Sequence, residues 1–356
     1  MVLERIKTPK DKILSEEQAG FRPNRSCVDQ IFTLRTIIEE SVEHQSQLII
    51  NFVDFQKAFD SIHRPSLWNI LEIYGFQPKY VNIIKAFYDD SRCCVRTEAG
   101  NSEWFPVNTG VKQGCVMSPM LFSITMDWVM RNCTADKNRG IEWLENKSLE
   151  DLDFADDLAL LSSTHEDAQE KTNRLQLFSA QLGLEINTSK TKIFDLTNKS
   201  MDIKLNDNTL EKVNNFTYLG SKISTGDSST EILNRIALAA NSFNKLSNIW
   251  HSKTLRNNTK LKIFNSCIMP TLTYGCESWK ATSNLEQRLN IFEINQLNIH
   301  WSDFKSSTII RQEAKQEYAS TYIRRRRWNY IGHALRMDTK ILPCQALMWS
   351  PRGKRK

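Results

Sequence analysis

The sequence predicts an α+β fold that gives way to an all-helical region and ends in a basic helical segment. Three observations carry this reading. Over the first 225 residues, short apolar β-branched runs alternate with amphipathic helical patterns. After about Ser224 the strand-like runs stop, and apolar residues recur every three or four positions. From Thr321 to Lys356 there are ten Lys or Arg and a single acid, Asp338.

Taken in order, Ile31, Leu34, Ile38 and Val42 mark one face of a helix. Leu48 to Phe55 (LIINFVDF) is a short β-branched run that reads as a buried strand. Ser118-Pro119 opens a helix carrying Leu121, Phe122 and Ile124, with proline in the first turn, where a missing N–H is harmless. Leu152 to Leu161 (LDFADDLALL) reads as two short strands with a tight turn at Ala155-Asp156. Thr164-x-x-Asp167 is a helix N-terminal cap; Ala168, Leu175, Phe178 and Leu182 follow on one face, and Gly183 stops the helix. Ser228-x-x-Glu231 reads as a capping box for a helix bearing Ile232, Ile236, Ala239, Phe243 and Leu246. A domain boundary is expected near residue 225, with a softer one near Ser306-Ser307, which divides the chain into 1–224, 225–305 and 306–356. No repeat and no Pro/Gly/Ser linker interrupts it.

The bulk properties exclude several classes. With 40% hydrophobic and 25% charged residues the chain has a globular composition. No apolar run reaches the roughly 18 residues of a membrane span. Met1-Val2-Leu3-Glu4-Arg5 lacks the apolar core of a signal peptide, so an intracellular location, nucleus or cytoplasm, is expected. The eight cysteines are scattered without a C-x-x-C pair, which fits a reducing compartment and no structural zinc. The net charge is +6, of which the terminal block contributes +9, leaving −3 for the other 320 residues. Such a block is the footprint of a phosphate-backbone contact, or else a solvated basic tail.

Three constellations carry chemistry. In Asp54-Phe55-Gln56-Lys57-Ala58-Phe59-Asp60, the first carboxylate closes the apolar strand. It is costly there unless it is paired or binds a cation, the bland alternative being an aspartate that caps the next turn. In Phe154-Ala155-Asp156-Asp157, two adjacent carboxylates share a hairpin tip. Like charges so close raise each other's pKa unless a cation sits beside them, and hard oxygen ligands suit Mg²⁺. Three carboxylates from two strands can hold two such ions about 4 Å apart, the arrangement that serves in-line attack on phosphorus. In Gly110 to Pro119 (GVKQGCVMSP), two glycines bracket a turn in which backbone can approach something planar or charged.

Together these segments resemble the palm of a reverse transcriptase, most closely that of the non-long-terminal-repeat (LINE-like) retrotransposons. DFQKAFD is similar to the family's first carboxylate motif, GVKQGCVMSP to its template and nucleotide motif, and FADD to its catalytic hairpin. Upstream, Glu17 to Ser26 (EQAGFRPNRS) resembles a fingers motif. Downstream, Gly183 to Asn187 with Lys190-Thr191-Lys192, and Phe216 to Gly220 (FTYLG) at the primer grip, complete six segments in family order over about 200 residues.

The resemblance implies a right-hand polymerase: partial fingers and palm, a helical thumb over 225–305, and a basic C-terminal segment. It implies RNA-directed DNA synthesis from deoxynucleoside triphosphates, with template RNA, primer DNA and two Mg²⁺ ions, Mn²⁺ being a possible substitute. Asp54, Asp156 and Asp157 would be the metal carboxylates, and Lys190 would meet the leaving pyrophosphate. Gln113 and Gly114 would contact the templating pair and nucleotide, and Arg22 and Arg25 the template backbone or phosphates. Phe59 is either the gate that excludes a 2′-hydroxyl or a core residue. In Arg324 to Met337, Trp328, Ile331 and Leu335 would form an inward apolar face with arginines around it. The family's upstream basic strand and endonuclease are not seen, and no C-terminal Cys/His knuckle is present. The expectation is therefore a fragment or truncated copy, and the rival readings are a catalytically inactive nucleic-acid-binding remnant and an RNA-templated RNA polymerase.

Overall fold

In the computed structural model, which describes residues 13–136, 138–144, 147–197, 201–298 and 316–352, strand β1 (Ile49–Val53) is buried along its whole length. Its apolar run, broken only by Asn51, which donates to the Thr172 hydroxyl at 2.9 Å, places it inside a sheet covered on both faces. The sheet runs β5 (Glu211–Lys212), β4 (Lys192–Asp195), β1, β3 (Asp157–Ser162), β2 (Asp151–Phe154). Every neighbouring pair is antiparallel except β4 with β5. Strand β1 meets β3 from Ile49↔Ser162 to Val53↔Leu158, and β2 meets β3 up to Phe154↔Asp157. The hairpin therefore turns at Ala155-Asp156, as its alternation predicted, with Ala155 left-handed (φ 60°).

Helices precede, separate and follow these strands in the chain. The capping box of Ser26 and Asp29 starts α1 (Cys27–Glu43). Short α2 (Ala58–Ser61) and α3 (Arg64–Ile73) follow β1. Helix α4 (Ser118–Cys133) is the core's central rod: twelve of its 16 residues are buried, so it has no solvent face to make it amphipathic. Helix α5 (His165–Ala180) begins where Thr164 accepts a hydrogen bond from the Asp167 N–H, as its sequence predicted. Within it Lys171 is fully buried, its ammonium 2.6 Å from the Glu150 carboxylate.

The chain forms two units: one of residues 1–30, 40–213 and 349–356, the other of residues 31–39 and 214–348. The second unit opens with the hairpin β6 (Asn215–Tyr218) and β7 (Ser221–Ser224), turning at Leu219-Gly220, both left-handed. Helices make up the rest, including α6 (Ser229–Lys245), α7 (Ser283–Asn298) and α8 (Ala319–Leu335). They pack around Ile232, Phe243, Trp250, Phe264, Leu272 and Trp279. The helix through residues 257–272 carries one π-turn at Phe264–Ile268.

Three local expectations are corrected. Val42, assigned to the buried face of α1, is 38% exposed. The capping box at Ser228 does not form, although α6 does start there: the Ser228 hydroxyl accepts from the Lys280 N–H (2.8 Å), and Glu231 is engaged by the Lys222 N–H (2.6 Å) and Arg235 (2.7 Å). Tertiary partners outcompete the local cap, and Asp227 takes the free Ser229 N–H instead. In α8 the apolar stripe faces outward: Trp328 is 72% and Leu335 53% exposed, while Ala319, Ile323 and Ala334 are buried. The helix is turned this way because Arg326 reaches inward to the Thr273 hydroxyl (2.9 Å) and to Glu277. The boundary near Ser306-Ser307 lies outside the described residues.

Candidate active site

One further step along the β1–β3 register brings Asp54 alongside Asp157, with Asp156 at the tip of the adjoining turn. The segment after α5 closes the site from the other side. Its backbone bonds to that of Asp54 (Asn187 N–H to Asp54 O, 2.7 Å), and the Thr191 hydroxyl receives the Asp54 N–H at 3.3 Å. This carries Lys190 to the carboxylates, its ammonium 3.5 Å from Asp54 Oδ2, which accepts no hydrogen bond. Withdrawal from water, then the neighbouring Asp54 charge, raises the Asp156 carboxyl above the usual carboxylate range. The same withdrawal, with the charges of Asp156 and Asp54, pushes Asp157 up to about 6. Two raised carboxyls beside the Asp54 carboxylate form a donor set that a divalent cation would relieve.

Among the described residues no group of three Asp, Glu, His or Cys makes a ready cation cage.

The GVKQG segment joins the first carboxylate motif through its backbone. Gly110 (φ 74°) lies so close that a Cβ would sit 2.6 Å from Asp60 backbone atoms, so only glycine fits. Its carbonyl and those of Val107 and Thr109 are gathered by the buried Arg64 guanidinium. The Gln113 amide donates to Asp60 (3.3 Å), and Gly114 (φ 82°) is exposed with open space beside it. Phe59 stacks on Phe122 (ring centroids 4.3 Å, 7° between planes) and meets Phe21 edge-on at 6.4 Å. It is half-buried, so the core and an open site share its two sides. Arg22 donates to the carbonyls of Ser15 (2.6 Å) and Gln18 (3.0 Å), and Arg25 pairs with Glu16; both brace the fingers segment.

Two acids lie beneath the hairpin. Asp151 and Asp153 share the inner side of β2, both fully buried, and burial followed by nearby acids raises both above the ordinary range. Burial is the largest cause for both, so the pair is held toward its protonated form. A carboxyl whose folded pKa is raised gives most stability below its unfolded value, near 4, and loses it as pH climbs toward the folded value. The isosteric neutral change Asp153→Asn is thus expected to flatten the decline in melting temperature between pH 4 and 8. In the wild type the underlying loss of unfolding free energy should reach up to about 1.4 kcal/mol per pH unit for one such carboxyl. Parallel melting curves for the two proteins across that range would contradict it.

Sequence patterns do not signal two residues that hold the hairpin, Gln18 and Gln30. Both are buried: the Gln18 amide bonds to the backbone of Ala155, and that of Gln30 to the carbonyl of Asp153.

The chain matches the family described as reverse transcriptase (RNA-dependent DNA polymerase) over residues 1–223. It is 29% identical over 173 residues to the Pol polyprotein of the type-2 retrotransposable element R2DM of Drosophila melanogaster, covering 49% of this chain and 16% of that protein. To the RNA-directed DNA polymerase from the mobile element jockey of Drosophila funebris it is 24% identical over 294 residues, 78% of this chain and 31% of that protein. It thus spans under a third of these relatives' lengths. A structure of telomerase from Candida albicans, in complex with a fragment of telomeric RNA, shares the fold at TM-score 0.55 and 13% identity, over 88% of this chain and 58% of that one. With the α+β architecture and carboxylate hairpin of the expected kind, and a family match over more than half its length, the chain belongs to the reverse transcriptase family.

Proposed function

We propose that this chain is the polymerase part of a retroelement protein, extending a primer 3′-hydroxyl with deoxynucleotides on an RNA template. One observation carries the reading: Asp54, Asp156 and Asp157 come from positions about a hundred residues apart and converge beside the Lys190 ammonium. The three carboxylates suit two Mg²⁺ ions, or Mn²⁺ in their place. When bound, these ions would supply charge neutralisation at the phosphate and a more acidic primer hydroxyl.

The chain's own groups do the rest. Lys190, on the open side of the site, offers a proton and a positive charge to the departing pyrophosphate. Gln113, held by Asp60, and the open backbone at Gly114 face the nucleotide and templating base. Arg22 and Arg25 keep the loop of residues 15–26 in shape, and contact with template phosphates is the further role assigned to them here.

The helical unit is read as the thumb, with residues 225–305 gripping duplex by shape and charge. Within it, residues 232–276 contain six Lys or Arg and no acid, and all but Arg235, which is buried against Glu231, lie outside that ion pair. That stretch supplies phosphate contacts beyond the C-terminal block, where Arg324, Arg325 and Arg326 are already paired with Glu286, Glu317 and Glu277. Among the described residues, no helix is long and apolar enough to cross a membrane.

Primer extension on an RNA template with Mg²⁺ tests the reading; a folded, RNA-binding protein that never extends a primer would refute it. Phe59 gives a finer test. Its ring is braced by Phe122, which supports a steric role toward the sugar. Phe59→Val is expected to raise ribonucleotide use relative to deoxyribonucleotide. A steric discrimination of about 1–3 kcal/mol corresponds to 10- to 200-fold. Unchanged sugar preference in an active variant would make Phe59 a core residue alone.

A further inference from the structure

The tip that presents Asp156 and Asp157 has its shape set from 137 residues upstream. Gln18 is 1% exposed, and its Oε1 accepts the N–H of Ala155 at 2.9 Å and that of Gly20 at 2.8 Å. Its Nε2 donates to the Ala155 carbonyl at 3.4 Å. Ala155 immediately precedes Asp156 and adopts φ 60°, a conformation that an alanine takes up only at a cost.

The surroundings leave that tip no alternative position. The backbone of residues 17–19 runs parallel to β2, with the Ala19 N–H on the Asp153 carbonyl (2.9 Å) and the Asp153 N–H on the Glu17 carbonyl (3.2 Å). Gly20 passes so close that a Cβ there would lie 2.2 Å from the Ala155 nitrogen. A carboxamide is the one uncharged side chain that offers an acceptor and a donor side by side in a plane, which is what a single peptide unit's N–H and C=O require. A glutamate would turn a lone pair toward the Ala155 carbonyl, and an aliphatic residue would leave two buried backbone groups unanswered.

We propose that Gln18 is the positioning residue of the carboxylate hairpin: by clamping both backbone groups of Ala155 it holds the left-handed turn and so aims the Asp156 and Asp157 carboxylates at a divalent cation. This rests on the reading of those aspartates as cation ligands. Outer partners that orient a ligand typically change metal affinity by about 10- to 100-fold when removed.

The test uses the full chain on an RNA–DNA primer-template, with Mn²⁺ binding followed by water-proton relaxation and primer extension titrated with Mg²⁺. Gln18→Met and Gln18→Glu are compared with wild type, and Asp156→Asn marks the signal that belongs to the site. Expected is a rise of about 10- to 100-fold in half-saturating metal for Gln18→Met. Much of the rate should return at saturating metal, and RNA binding should remain at the wild-type level. Adding Ala155→Gly, which takes positive φ unaided, should recover part of the lost affinity.

If wild type shows no Asp156-dependent Mn²⁺ binding, the reading of the site itself falls. If wild type binds while both Gln18 variants keep its half-saturation, only the positioning role falls. A lowered affinity untouched by Ala155→Gly would likewise overturn it, because Gln18 would then be acting elsewhere. Should Gln18→Met not fold, Gln18→Glu, which keeps the shared acceptor oxygen, carries the same readout.

Discussion

Asp156→Asn is expected to remove primer extension, lowering its rate at least about a thousandfold, equivalent to about 4 kcal/mol. Binding of template RNA should remain near that of wild type. Two features separate the effects. The Asp156 carboxylate, at a turn tip beside Asp54 and Asp157, supplies the charge a cation needs, and the amide that replaces it has none. The basic residues of 232–276 lie in the other unit and are untouched by the change. The substitution also removes one of three mutually repelling charges, so the folded state should lose nothing. Product formation, RNA affinity and melting temperature, measured on one preparation, decide the matter. Joint loss of extension and RNA binding in a normally melting protein would show that the hairpin grips template rather than metal.

Lys171→Met should destabilise the protein by about 3–5 kcal/mol, the cost of leaving one partner of a buried ion pair alone. The Lys171 ammonium sits between the Glu150 carboxylate (2.6 Å) and the carbonyls of Glu150 and Leu161. Burial works to raise the Glu150 carboxyl, but the ammonium and the hydrogen bonds from Lys171 and Ser148 bring it below the ordinary range. Such a depressed carboxyl contributes stability above its unfolded pKa, near 4.3, and loses it as pH falls through the folded value. Without Lys171 the carboxyl shifts the opposite way. The gap between wild type and variant should therefore be widest at neutral pH and narrow toward pH 4. Urea unfolding at the two pH values measures this, and Glu150→Gln in the Lys171→Met background should restore part of the loss. A gap independent of pH would assign the effect to lost packing.

What could be read from the chain was local. The buried strand at LIINFV, the turn at Ala155-Asp156 and the cap at Thr164 follow from residue periodicity and turn chemistry acting over a few positions. Where a side chain had a distant competitor, the local rule lost. Ser228 and Glu231 abandon their cap for Lys280, Lys222 and Arg235, and α8 rotates its Trp328 stripe outward because Arg326 has a partner inside. Charge counting over 320 residues hid a basic stretch at 232–276 behind acids elsewhere, and it overstated the freedom of the C-terminal arginines. Gln18 was invisible as a brace, since nothing at residue 18 announces a hydrogen-bonded partner at residue 155.

The order of the main sheet bears on how this chain is made. Its central strand, residues 49–53, pairs only with strands at 157–162 and 192–195, so synthesis must run some 140 residues past β1 before both neighbours exist. Until then an apolar five-residue strand has no native partner, and pairings of such high sequence separation form slowly. A nascent chain in this state exposes the kind of edge that seeds association with other chains. The carboxylate cluster therefore cannot assemble until the chain has been made through about residue 195. Yield of the folded protein should accordingly depend on translation speed and on chaperones that shield residues 49–53 in the interval.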